Sequence, residues 1–155
     1  MGTNFDFIAP LWPAIHSDCV RAESYARTDP RTTTIYARRV VEQIIERIYE
    51  IERLPSPYKN DLNARIADER FRRKVGQDFA IKADLIRKVG NEGVHGAKSI
   101  TAQTALNAMR HLYDMVVWAA FRYSVSPDTI PTASDYDPSR IPEPQTENAQ
   151  PPLSA

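Results

Sequence analysis

The stripe formed by Ala37, Val40, Val41, Ile44, Ile45, Ile48 and Ile51 constrains this chain more than any other feature. Its spacing of i, i+3, i+4, i+7, i+8, i+11 and i+14 is that of an α-helix burying one face. Arg38, Arg39, Glu42, Glu46 and Arg47 fall off the stripe. Arg38 and Glu42 stand at i and i+4, where opposite charges meet on a helix surface. Asp29-Pro30 opens the helix with a capping side chain and a proline at the first helical position. Leu54-Pro55-Ser56-Pro57 closes it. A helix with one long apolar face needs partners of the same kind.

The rest of the chain supplies them. Leu11, Ile15, Cys19, Ala22 and Ala26 predict a first helix over 11–28, with Pro13 in its first turn, and Phe5, Phe7 and Ile8 ahead of it can dock on the body. Leu62 and Ile66 predict a short helix over 61–69, and Phe79, Ala83 and Ile86 another over 77–89. Ala105, Met109, Leu112, Val116, Ala119 and Tyr123 predict a last helix from Ser99 or Thr101 to about Tyr123. Leu106, Tyr113, Val117, Trp118 and Phe121 lie on its other sides, so this helix is either central or also meets a partner. With no strand pattern and no repeat, the fold class is an all-α bundle of about five helices.

Composition changes after Ser124. Seven of the twelve prolines fall between Pro127 and Pro152. A helical domain over 1–124 is expected, followed by a Pro-rich acidic linker or disordered tail over 125–155. Such a tail reads more readily as a linker into a further domain than as a native terminus. It carries five acids against one base, so it is −4 and the body +4, far below the charge of a dedicated nucleic-acid binder. The single Cys19 excludes an internal disulfide and reads as a buried, inert thiol in a reducing compartment. No signal-peptide pattern opens the chain, and the apolar run Met115–Phe121 is too short to span a bilayer. The cytoplasm is the expected location, with no membrane partner.

Candidate chemistry gathers in Ile86–Gly96, which holds three of the five glycines around Asn91 and His95. Gly90 suits a left-handed cap after Val89, and with Gly93 and Gly96 it predicts a break in the helix. The loop would fold Asn91 and His95 back beside the helix end, where Arg87 and Lys88 help satisfy the last carbonyls. A histidine moves protons at neutral pH, an arginine stabilises the charge of a pentacoordinate phosphoryl centre, and an asparagine orients a water or ribose hydroxyl. Arg87, Asn91 and His95 therefore form a set sufficient for metal-independent RNA cleavage. The alternative is structural. In it Asn91 bonds backbone groups of the turn, His95 donates to a carbonyl or carboxylate, and Arg87 pairs with Glu42 or Glu23 in a polar network that includes Arg38.

Arg70, Arg72, Arg73 and Lys74, with Lys88, are candidates for nucleic-acid contact through phosphates, or else a solvated helix end. His16 and His111 stand alone. No zinc-ligand spacing, phosphate-binding P-loop or G-x-S-x-G element is present, and no metal or cofactor is expected.

The order Trp12-Pro13, Arg21-Ala22-Glu23, Asp29-Pro30, Ala37-Arg38-Arg39-Val40-Val41-Glu42, Ile86–His95 and a last helix with Trp118 resembles the DUF4145 domain. This is a helical module of the HEPN-like group, found at the N-terminus of type I restriction enzyme R subunits and related DEAD/DEAH-box helicases. The resemblance covers residues 5–124, and its sharpest element is Arg-x-x-Gly-Asn-x-x-x-His. It implies a HEPN-like helical bundle with a place in bacterial defence against phage and other foreign DNA. Its implied partners are nucleic acid, DNA or RNA, and other subunits or domains of a restriction complex. The wider group includes metal-independent ribonucleases with an Arg-x(4–6)-His motif that act as dimers. Here Arg87 and His95 are separated by seven residues, and only Lys88 and His95 by six. That departure points to a non-catalytic accessory domain. The alternatives are a homodimeric endoribonuclease and a plain dimerisation module using the last helix.

Overall fold

Side-chain caps set where the helices begin. The structure, a computed structural model, describes residues 2–96 and 99–144. Its α-helices are α1 (Pro13–Tyr25), α2 (Pro30–Ile51), α3 (Leu62–Ala67), α4 (Glu69–Val75), α5 (Gln77–His95) and α6 (Ala102–Tyr123). Asp29, Asp61, Asp68 and Thr101 each accept a backbone N–H in the first turn of the helix that follows. Pro13 and Pro30 occupy first-turn positions, where a missing N–H costs nothing. Among the described residues the fold is all-α.

The stripe of α2 forms the centre. Val40, Val41, Ile44, Ile45 and Ile48 are fully buried, enclosed by α1, α5 and α6. Cys19 of α1, Ile86 of α5, and Met109, Leu112 and Val116 of α6 complete this core. Phe5 and Ile8, at either end of the 3₁₀ turn Asp6–Ile8, close the end near α1.

Two boundaries differ from the sequence expectation. The basic cluster is its own helix, α4, rather than the end of α3. Asp68 takes an extended conformation, breaks α3 and caps α4, so Phe71 and Val75 turn inward. Phe71 stacks on Tyr49 with ring centroids 5.4 Å apart. The larger correction concerns the glycines. α5 does not stop at Val89 but runs through Gly90 and Gly93 to His95, and Gly96 is its cap.

The reason is interhelical contact rather than a turn. A β-carbon at Gly90 would lie 2.5 Å from Cβ of Arg38, and one at Gly93 would overlap the Thr34 hydroxyl. Both glycines are buried against α2. They let the two backbones approach more closely than any side chain would allow.

After α6 the prolines exclude further long helices, yet the chain as far as Pro144 lies back over the bundle. It forms 3₁₀ turns at Pro127–Thr129, Ala133–Asp135 and Pro138–Arg140. Tyr136 packs on Tyr113, ring centroids 4.9 Å apart, and Ile141 is buried. Asn4 pairs with the Asp137 backbone in both directions: its Nδ2 donates to the Asp137 carbonyl and its Oδ1 accepts the Asp137 N–H, each at 2.8 Å. The two ends of the described chain are thereby clasped together. The part of the expected tail beyond 144 lies outside the described residues.

Gly93→Ala is expected to lower the unfolding free energy by about 1–3 kcal/mol, the usual cost of overpacking. This holds although alanine favours an exposed helix by about 1 kcal/mol over glycine. Urea titration measures it, and an alanine variant more stable than the parent would contradict the close α2–α5 contact.

Candidate functional site

On a continuous helix the residues of Ile86–Gly96 are arranged by rotation. At about 100° per residue, Arg87, Asn91 and His95 fall within about 80° of one another, each about 6 Å further along the axis. The expected break would have folded Asn91 and His95 back beside the helix end. The unbroken α5 instead sets them on one face, flanking the side that Gly90 and Gly93 press against α2.

The end of α5 is closed from α2. Nη1 of Arg31 donates to the carbonyls of Gly93 at 2.6 Å and Glu92 at 3.2 Å. It bonds two carbonyls of the last turn, of which that of Glu92 also accepts the Gly96 N–H at 2.8 Å, and places a positive charge at the negative end of the helix dipole. This is the role expected of Arg87 and Lys88, which the structure places elsewhere.

Arg87 pairs with neither Glu42 nor Glu23. Its Nη2 lies 2.9 Å and its Nε 3.0 Å from Oδ1 of Asp84, one turn earlier, and its side chain is only 16% exposed. Lys88 reaches Oδ2 of the same Asp84 at 3.0 Å, with its side chain 65% exposed. Burial works against ionisation of Asp84, but the hydrogen bonds from Lys88 and Arg87 outweigh it and hold the carboxyl below its usual range. Asn91 is half-buried and His95 exposed. Neither side chain has a hydrogen-bond partner among the described residues, so the bonds expected of them in a structural turn are not made. The i,i+3 and i,i+4 spacing of Asp84 to Arg87 and Lys88 was open to reading in the sequence. Arg31 was not, because its target is sixty-two residues away.

The other candidates are separate from this face or adjoin it. Nη1 of Arg38 forms an ion pair with Oε1 of Glu42, and the stem of Arg38 covers Gly90. The Nε of Arg38 is buried without a partner. Glu23 joins neither residue. It is buried on α1, where its carboxylate accepts the Asn4 N–H at 3.1 Å and Asn4 Nδ2 at 3.3 Å. It thus supports the clasp between the chain ends. On α4, Arg70 pairs with Asp68 at 3.5 Å and Arg73 with Glu69 at 2.9 Å, while Nε of Arg72 donates to the Ile66 carbonyl. Arg70, Arg72, Arg73 and Lys74 are all exposed.

His16, which stands alone in the sequence, lies 3.0 Å from Asp6. Hydrogen bonds from Thr3 and His16 pull the Asp6 carboxyl down to about 2. His111 lines a groove of about 200 Å³ between α5 and α6, with Leu85 and Val89 opposite, and burial lowers its pKa. Among the described residues no group of three His, Cys, Asp or Glu could hold a metal ion. No described helix is long and apolar enough to cross a membrane.

These features define a helical-bundle domain whose notable segment is a glycine-packed helix ending in Asn91 and His95. Residues 20–128 match the family model of DUF4145, described as a domain of unknown function, and the chain belongs to that family. The match covers α1 from Val20 through α6 and leaves the clasped ends largely outside. No curated protein and no solved structure matches the chain.

Glu23 gives a pH dependence. Burial is the main cause that raises its carboxyl from 4.5 to about 7, against the opposing hydrogen bonds from Asn4. Between about pH 4.5 and 7 the folded chain holds a proton that the unfolded chain has released, so this group's contribution to stability falls as pH rises. Below that window the group is neutral in both states, and above it the loss is complete. Thermal melts across pH 4.5–8 should show a decline that Glu23→Gln flattens. Equal slopes in the two proteins would contradict it.

Proposed function

We propose that this chain is a non-catalytic accessory domain of a type I restriction-modification R subunit or related helicase. It acts in nucleic-acid binding or in subunit and domain assembly during defence against foreign DNA. The order of motifs, which resembles that of such proteins, supports this reading, and the DUF4145 match supports the domain alone. One observation carries the non-catalytic reading. Arg87, the group needed to stabilise an anionic phosphoryl centre, is largely buried and held by Asp84 within its own helix. A guanidinium held this way turns its Nε and Nη2 donors to Asp84 rather than to a substrate, and leaving Asp84 would uncover a half-buried carboxylate.

A second reading has its own observation. The unbroken α5 aligns Arg87, Asn91 and His95 on one face and leaves His95 exposed. A HEPN-type, metal-independent endoribonuclease acting as a homodimer would use that alignment, with a second copy supplying the opposing motif. The exposed part of α6, where Phe121 is 62% exposed beside the partly buried Val117 and Trp118, suits a partner surface for either reading.

Incubating the purified chain with RNA in EDTA separates the two. We expect intact RNA from both the parent and His95→Ala. Cleavage by the parent that disappears in a folded His95→Ala protein would overturn the non-catalytic reading. A molar mass that stays monomeric at all concentrations would remove the homodimer.

A further inference from the structure

Asp18 of α1 is a buried acid at the contact of α1 with α2. Its side chain is 6% exposed and accepts a hydrogen bond from Gln43 Nε2 at 2.7 Å. Two cations share what remains of its charge: Arg21 Nη1 at 3.5 Å and Arg39 Nη2 at 3.6 Å. Both arginines are more than half exposed, at 55% and 57%. Both guanidiniums also lie against one ring, that of Tyr36, at 5.9 Å and 5.6 Å from its centroid.

A guanidinium has five N–H donors, and a single distant carboxylate leaves most of them directed at solvent. The ring and the carboxylate together hold both groups at one surface, which lowers the entropy lost when a ligand is bound. The charge around them reinforces this. The first half of α2 carries Arg31, Arg38 and Arg39 with no acid, and of these Arg38 is paired with Glu42 from the second half.

We propose that the Arg21–Tyr36–Arg39 surface is a binding platform for single-stranded nucleic acid, with phosphates on the two guanidiniums and a base stacked on their planes or on the ring. This rests on the reading that the domain contacts nucleic acid, and it says where and in what form. Planar cations beside an aromatic ring are the means by which proteins hold unpaired strands without reading sequence. The basic helix α4 differs. Its one ring, Phe71, is buried, so it offers phosphate contact alone.

Fluorescence anisotropy of a labelled oligo(U) strand with the full chain tests the platform across a salt series. The parent should bind with a negative slope of log affinity against log salt. Replacing both Arg21→Gln and Arg39→Gln should reduce the magnitude of that slope by about 1.4, since each phosphate neutralised on a single strand accounts for about 0.7. Tyr36→Leu keeps both charges, so it should weaken binding about fivefold or more with the slope unchanged. Circular dichroism establishes that each variant is folded. Binding that ignores all three changes but falls in Arg70→Gln with Arg73→Gln would overturn the platform, move the contact to α4 and leave the nucleic-acid reading intact. A parent chain that binds no strand at low salt would overturn both.

Discussion

The close packing of α5 on α2 through Gly90 and Gly93 is the contact on which the rest of the site depends. Each glycine inside a helix costs about 1 kcal/mol against alanine, and two in one turn would weaken an isolated helix. Here the loss is offset by contact: the stem of Arg38 fills the space over Gly90, and Thr34 lies over Gly93. The two helices run antiparallel, so the start of α2 meets the end of α5. That juxtaposition brings Arg31 to the Glu92 and Gly93 carbonyls. Close approach and capping support each other, because Arg31 reaches those carbonyls only when the backbones are near.

This seam also decides which chemistry the segment can offer. Facing glycines toward α2 turns Arg87, Asn91 and His95 to the flank. Arg87 is then close enough to Asp84 to be neutralised along its own helix, while Asn91 and His95 have no hydrogen-bond partner among the described residues. The result is a polar face on which one carboxylate, Asp84, is shared by Arg87 and Lys88, next to an α2 whose first half is basic. The clasp of Asn4, Glu23 and Asp137 works at a different place, tying the ends of the described chain to α1 and to each other.

Much of the fold was legible because its signals are local. The stripe of α2 from Ala37 to Ile48, the Asp29-Pro30 start and the Thr101 start each depend on neighbours within a few positions; Ile51, the last of the expected stripe, is instead 48% exposed at the end of the helix. The α3–α4 break depended on one backbone conformation at Asp68, and the charged residues on both sides of Phe71 masked the inward face. The glycines of α5 misled for a clearer reason. Glycine serves a turn through its backbone freedom and serves packing through its missing side chain, and sequence spacing does not separate the two uses. Only the positions of Arg38 and Thr34, some fifty to sixty residues away, decide between them. Arg31 as a cap, and the Tyr36 ring against Arg21 and Arg39, are likewise products of tertiary contact. The prolines after Ser124 suggest a linker or disordered tail and carry no information about the docking of Tyr136 on Tyr113.

Amide hydrogen exchange at Gly90 through Gly93, resolved by NMR, reads whether α5 is sealed against α2. If α5 is continuous and sealed against α2, these amides exchange as slowly as those of Ala83 and Ile86 and carry helical Cα shifts. Fast exchange with coil-like shifts from Gly90 onward would contradict the account, and would return Asn91 and His95 to a loop.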